Sequence, residues 1–240
     1  MQNVFIGEVA ATYDADCADV STEEALAPML ATLVQLAAGG EALELAIGTG
    51  RVALPLAARG VPVTGIELSA DMVAELRRKP GGDAIPVTLG DMATTRVPRT
   101  YSLVYLVFNT LSNLLEQREQ VACFANAAAH LAPGGVFVVE IGEPDLRRFP
   151  PGAVAVPFEV GAEHLGFDTY DLVTQRLTSH HYWPRQGRQL DSHHRWVWFA
   201  EMDLMARMAG LRLRDRWADW QGTPPSNENT GQVSVFEKPL

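Results

Sequence analysis

The sequence predicts an α/β protein built on a doubly wound, mainly parallel sheet that carries an antiparallel β cap. Two observations predict it. Up to about residue 141, short apolar runs alternate with helical patterns that end in Gly or Pro, the mark of strand–helix–strand crossovers. Beyond Gly142, strand-like runs follow one another with no helix between them, which calls for antiparallel pairing. Composition agrees: of 240 residues, 47% are hydrophobic and 20% charged, enough to bury one large core and incompatible with a disordered chain.

The elements follow in order. Residues 1–20 show no clear period. Ser21 reads as a helix N-cap with Glu24 completing a capping box, and Leu26, Met29, Leu30, Leu33, Leu36 and Ala37 recur at helical spacing as far as Gly39-Gly40. Apolar runs at 42–47, 61–66, 84–89, 101–108 and 136–141 lack alternation, as strands buried on both faces do. Segments 51–59, 70–79 and 115–132 read as helices, closed by Gly60, Pro80-Gly81 and Pro133-Gly134-Gly135. Runs at 154–160, 170–183 and 190–198 are candidate antiparallel strands. A helix at 200–209 stops at Gly210, and strands at 213–220 and 232–237 complete the chain. In that helix Met202, Leu204, Met205 and Met208 read as core, while Arg212, Arg214, Arg216 and the pair Arg147-Arg148 read as solvated surface. With no repeat or linker, residues 1–240 read as one domain: a helical segment over 1–40, a core over 41–141, and the cap with the last strands over 142–240.

Lys and Arg number 19 against 29 Asp and Glu, a net charge of −10 that repels nucleic acid and anionic membranes as partners. No apolar run reaches the roughly 20 residues of a membrane span. The start, MQNVFIGEVA, lacks the pattern of a signal peptide, so a cytoplasmic location is expected. Cys17 and Cys123 form no CxxC pair, which excludes a disulfide scaffold and a cysteine zinc site. Walker, HExxH and GxSxG motifs are absent.

A small-ligand crevice is the alternative, and three acidic signals point to it. Glu44-Leu45-Ala46-Ile47-Gly48-Thr49-Gly50-Arg51 joins the first strand to the first crossover helix, where glycines let backbone approach a ligand. Glu67 ends the second strand 23 residues after Glu44, suited to two ribose hydroxyls. Gly90-Asp91-Met92 ends the third, where a carboxylate can accept from an exocyclic amine.

ELAIGTGR, GIELSADM, GDM and Pro133-Gly134-Gly135, in this order and spacing over about residues 40–141, resemble the class I S-adenosylmethionine (SAM)-dependent methyltransferases. The stretches TQRLTSHHYW and FAEMDLMARMAGLRLRDRW are similar to bacterial small-molecule methyltransferases, natural-product enzymes among them. The resemblance implies a Rossmann-like sheet with its antiparallel cap over the cofactor crevice. It implies SAM as cofactor, S-adenosylhomocysteine (SAH) as product, and a small-molecule acceptor, an aromatic, heterocyclic or amino-bearing natural-product intermediate; the methylated atom (N, O or C) and the choice between monomer and homodimer stay open. It also implies that Glu44, Ala46, Gly48 and Gly50 hold the methionine part and that Glu67 binds the ribose. Leu68 and Met72 would flank the adenine, Gly90, Asp91 and Met92 would read its edge, Asn109 would join the cofactor set, and Tyr13 would close over it. One departure is Ala46, where the family usually has Gly. An NAD(P)-dependent oxidoreductase is the second reading, against which Ala53 stands where the dinucleotide fingerprint wants a third glycine. A non-catalytic SAM-binding module is the third.

On the acceptor side, all five tryptophans lie after residue 180. A two-residue turn at Gln186-Gly187 would set Trp183 against Leu190 and His181 against Ser192. One face then carries His181, His194, Trp183, Trp196 and Trp198. The two histidines become the candidate proton-moving pair and the three tryptophans an apolar acceptor pocket, favouring a flat or partly aromatic acceptor. A one-residue slip would promote His180 and His193 instead. Adjacent strand residues point to opposite faces, so the histidine pairs make no metal site.

Overall fold

The computed structural model describes residues 4–145, 147 and 149–240. Strands β1 (Ala42–Leu45), β2 (Val63–Glu67), β3 (Val87–Leu89), β4 (Tyr101–Leu106), β5 (Leu131–Gly142), β10 (Arg212–Trp217) and β11 (Gly231–Glu237) form a seven-stranded sheet in the order β10-β11-β5-β4-β1-β2-β3. Neighbours from β3 to β5 pair in parallel, whereas β11 runs antiparallel to both β5 and β10. Successive residues of β4 serve opposite layers: Leu103 and Tyr105 pack towards α2 (Glu23–Ala37) and α3 (Ala53–Ala58), Val104 and Leu106 towards α5 (Gln117–His130) and α6 (Phe199–Met208). That two-sided burial is why these strands show apolar runs without alternation. α4 (Ala70–Arg77) completes the crossovers on the β2–β3 side.

The second sheet is antiparallel, in the order β6 (Ala155–Val160), β7 (Leu165–Asp171), β8 (Arg176–Trp183), β9 (Arg188–Arg195). The run at 170–183 is thus two strands with a turn between them, in which Asp171 accepts from the backbone N–H of Val173 and Thr174 and Gln175 takes a φ of 56°. The β8–β9 turn occupies residues 184–187, so His181 faces Leu190 and Trp183 faces Arg188. This register lies two residues from the expected one, and a two-residue shift leaves each side chain on its expected face. β9 ends at Arg195, which takes Trp196 and Trp198 out of the strand.

The helical segment expected over 1–40 contains two α-helices, and three expectations need correction: the cap at Ser21, the core role of Leu204 and Met208, and the solvation of Arg216. Residues Glu8–Asp16 form a helix, α1, with no apolar stripe: only Ala10 is buried. Point contacts hold it instead, from Asp14 to Thr49 Oγ1 (2.6 Å) and Lys79 Nζ (2.6 Å), from Asp16 to Arg188 (3.0 Å), and from Gly7 N–H to Asp71 (2.7 Å). Thr22, not Ser21, caps α2 by accepting from Ala25 N–H, and Ser21 donates to the Cys17 carbonyl. Within α6, Met202 and Met205 are buried but Leu204 and Met208 are exposed. Arg216 is half-buried and paired with Asp203 rather than solvated, whereas Arg212, Arg214 and Arg147 are exposed as expected, and Arg148 lies outside the described residues. Among the described residues, no helix is long and apolar enough to cross a membrane.

Phe124 is fully buried on α5, edge-on to Phe137 (5.2 Å) and Phe236 (5.6 Å). Phe124→Ala is expected to destabilise the protein by about 3–5 kcal/mol, read from the midpoint of urea unfolding.

Candidate functional site

Strand order reverses between β1 and β4, and at that point the carboxyl ends of the parallel strands open into a crevice. The crevice holds a cavity. Its walls come from the ends of three strands and from distant segments: Ala46 and Gly48 after β1, Glu67 and Leu68 at the end of β2, Met72 on α4, and Met92 after β3. Thr110, Asn113 and Leu115 follow β4, His193 comes from β9, and Val4, Phe5 and Tyr13 come from the N-terminal segment.

Glu67 organises the first half. One carboxylate oxygen accepts from Gly48 N–H (2.8 Å) and the other from Ser69 N–H (2.8 Å), so a single side chain ties the turns after β1 and β2 together. Burial raises its pKa while these backbone donors act in the opposite direction. The Leu68 backbone N–H acts on the same carboxylate, so three of its roughly four acceptor positions are engaged and one remains for a further donor. Ala46 stands at a φ of 57°, in the region that favours glycine, at a cost of about 1–2 kcal/mol. Gly48 also lies there, at 58°, and a Cβ on it would come 3.4 Å from Met72 Cε. Burial raises the Tyr13 phenol far above its ordinary range and keeps it neutral.

Other residues expected at the cofactor stand behind the wall. Glu44 is buried, accepts from Tyr105 Oη (2.9 Å), and is pushed up by burial to about 8. Gly50 is needed for packing, since a Cβ there would overlap Leu76. A Cβ on Gly90 would likewise overlap Thr95. Asp91 turns back to accept from Ala93 N–H (2.7 Å). Asn109 accepts from Gly142 N–H (2.6 Å) and lines a second cavity beyond the end of β4. Five positions of the cofactor set (Glu44, Gly50, Gly90, Asp91 and Asn109) are thus not among the residues that line this cavity.

The structure places the acceptor-side candidates away from this cavity wall. His194 is held on both ring nitrogens. Ser112 Oγ donates to the Asn109 carbonyl (2.6 Å), so its oxygen accepts from His194 Nδ1 (3.2 Å), and Nε2 accepts from Ser192 Oγ (2.8 Å). Burial pushes this imidazole down to about 4, so it is neutral and structural. His181 lies in a stack with His164 and Trp183, its Nδ1 3.0 Å from His164 Nε2, and burial lowers its pKa. Trp183 sits under the Arg188 guanidinium, and Trp196 is buried between Tyr170 and Trp198. None of these five lines the cavity.

The reason is geometric. The second sheet meets the crevice with its β9 edge beside residues 110–113, and of the adjacent pair His193 and His194, which point to opposite faces, His193 lines the cavity and His194 does not. His193 is the histidine on the wall, with Nδ1 3.0 Å from Thr178 Oγ1. Thr110, Asn113 and Leu115 were findable from their place just after β4 at a strand-order reversal; Val4 and Phe5 carry no such signal. Among the described residues, no group of three or more His, Cys, Asp or Glu is placed to hold a metal.

A family model described as a methyltransferase domain matches residues 42–135. The structure of the CcbJ methyltransferase from Streptomyces caelestis matches with a TM-score of 0.79 at 35% identity, covering 89% of this chain and 88% of that one. A cypemycin N-terminal methyltransferase from a Streptomyces species is 26% identical over 206 residues, 83% of this chain and 84% of that protein. A dTDP-3-amino-3,6-dideoxy-α-D-glucopyranose N,N-dimethyltransferase from Streptomyces fradiae is 40% identical over 113 residues, 47% of this chain and 43% of that protein.

A carboxyl group whose folded pKa is raised to about 8 stabilises the fold fully below its unfolded value near 4.5 and loses that contribution as pH rises through 8. Glu44→Gln removes the titration and keeps a side-chain oxygen for Tyr105. The wild type is therefore expected to lose stability relative to the variant between pH 5 and pH 8, measured by urea unfolding at both.

Proposed function

Because this chain belongs to the class I SAM-dependent methyltransferases, with SAM as its cofactor, we propose that it methylates an amine nitrogen on a small natural-product acceptor. The whole chain acts as one catalytic unit in this reading. Membership of the family leaves the oxidoreductase and the non-catalytic binding module without support.

The observation that carries the proposal is a cavity whose two halves have different chemistry. One half fits SAM. Gly48, with no side chain of its own, suits close approach of a ligand, Glu67 offers a carboxylate to the ribose hydroxyls, and Leu68 and Met72 form an apolar slot for a flat base. When bound, SAM supplies an electrophilic methyl group on a sulfonium that is already a good leaving group. The other half carries Thr110, Asn113 and His193, polar side chains suited to orienting a nitrogen nucleophile.

An amine that arrives protonated must lose a proton before it can attack. His193 is the imidazole on the wall. Thr178 engages Nδ1, and Nε2 has no hydrogen-bond partner among the described residues, so Nε2 is the atom free to take that proton. Tyr13, Phe5 and Val4 exclude water on the opposite side. The relatives named for N-methyl transfer, one to a peptide N-terminus and one to an amino sugar, support nitrogen as the target atom.

The direct test is transfer of radiolabelled methyl from SAM to a panel containing dTDP-3-amino-3,6-dideoxy-α-D-glucopyranose, other primary amines, and hydroxyl-only analogues. Labelling confined to hydroxyl acceptors would overturn the amine reading. Glu67→Gln is expected to weaken SAH binding by roughly 1.5–3 kcal/mol in calorimetry, with circular dichroism unchanged. His193→Gln is expected to lower amine methylation about 10²-fold near neutral pH and to recover as rising pH deprotonates the acceptor in solution, with SAH affinity unmoved.

A further inference from the structure

Phe108 and Asn109, the residues that turn β4 towards the acceptor wall, stand at φ values of 60° and 57°. Two successive non-glycine residues in the left-handed region persist only where their surroundings hold them. Here Glu140, near the end of β5, does the holding. Its Oε2 accepts from Phe108 N–H (2.7 Å) and its backbone carbonyl from Asn109 N–H (3.3 Å), while Gly142 N–H donates to Asn109 Oδ1 (2.6 Å). The second carboxylate oxygen accepts from Trp220 Nε1 (2.7 Å), which anchors Glu140 from the other side. The bend leads directly into residues 110–113, from which Thr110 and Asn113 face the cavity and Ser112 meets His194. Glu140 itself lines the second cavity and not the first.

We propose that Glu140 is a positioning residue for the acceptor, fixing the bend that sets Thr110 and Asn113 against the amine; this rests on the acceptor reading given above. Its chemistry is specific, because two N–H donors from different segments converge on one side chain and only a carboxylate offers each an oxygen. The cofactor half stands on β1 and β2 and on Glu67, so it does not depend on the bend.

Glu140→Gln leaves one side-chain oxygen for two donors. It is expected to raise amide hydrogen exchange across residues 107–115 by about tenfold or more, with the SAH dissociation constant within about twofold of wild type. With dTDP-3-amino-3,6-dideoxy-α-D-glucopyranose as the probe acceptor, the KM for the acceptor is expected to rise and the KM for SAM to stay in place. Adding Trp220→Phe deletes the competing donor, so the double variant should return exchange and acceptor KM towards wild type, a rescue that general loss of stability would not give. If Glu140→Gln does not fold, Asn109→Ala loosens the same bend from its other side and is read for the same pattern of exchange and SAH affinity. Wild-type exchange in the single variant, or a double variant no better than the single, would overturn the proposal. If the wild-type enzyme does not use the probe, the amino-sugar acceptor fails, while exchange, SAH affinity and rescue still decide the role of Glu140.

Discussion

Between β2 and β4, strand β1 sits where the chain leaves the sheet in two opposite directions, and everything else in the molecule is arranged around that divergence. Crossovers to one side build the β1–β2–β3 half, and those to the other build β4, β5 and the antiparallel strands beyond. The loops on either side move apart and cannot fill the gap between them. Glu67 ties the β1 and β2 loops into one rigid wall, and Glu140 ties the β4 loop to β5, so each half of the gap has a carboxylate spanning two strand ends. The sheet supplies the opening, and these two side chains give it fixed edges.

The parallel core was legible because its signals are local and mutually consistent. Double-sided burial wrote apolar runs into 42–47, 101–108 and 136–141, and turn glycines closed the crossovers. Boundaries shifted by a few residues where hydrogen-bond geometry overrides pattern: Thr22 offers its hydroxyl to the end of α2 and Ser21 does not. α1 was invisible because its helix is held by Asp14 and Asp16 reaching other elements, and point contacts leave no periodic trace. The faces of β8 and β9 were readable despite a wrong turn, since a two-residue error preserves parity.

The two halves of the cavity differ in legibility for the same reason. A backbone turn that follows a strand within a few residues is encoded in one stretch, so Ala46, Gly48, Glu67, Leu68 and Met72 could be named together. A motif does not say which of its members face outwards: Glu44 and Gly50 belong to the same turn, yet one bonds Tyr105 and the other makes room for Leu76. The acceptor half joins segments about eighty residues apart, Ser112 with His194 among them, through a sheet edge. Face patterns do not say which face of a sheet is turned to a cavity, and the cavity is lined by His193 rather than by His181, His194 or the three tryptophans.

The means by which α1 is fastened has a kinetic consequence. Its partly exposed ion pairs, Asp14 with Lys79 and Asp16 with Arg188, contribute at most about 1 kcal/mol each, and only Ala10 adds a buried side chain. Such an element detaches by local opening at a free energy far below that of global unfolding. Tyr13 rides on this helix, so loosening α1 removes one wall of the cavity while the hydrogen bonds within the two sheets stay in place. Because mobile ions screen exposed pairs, the ionic strength of the medium sets how often that helix lets go.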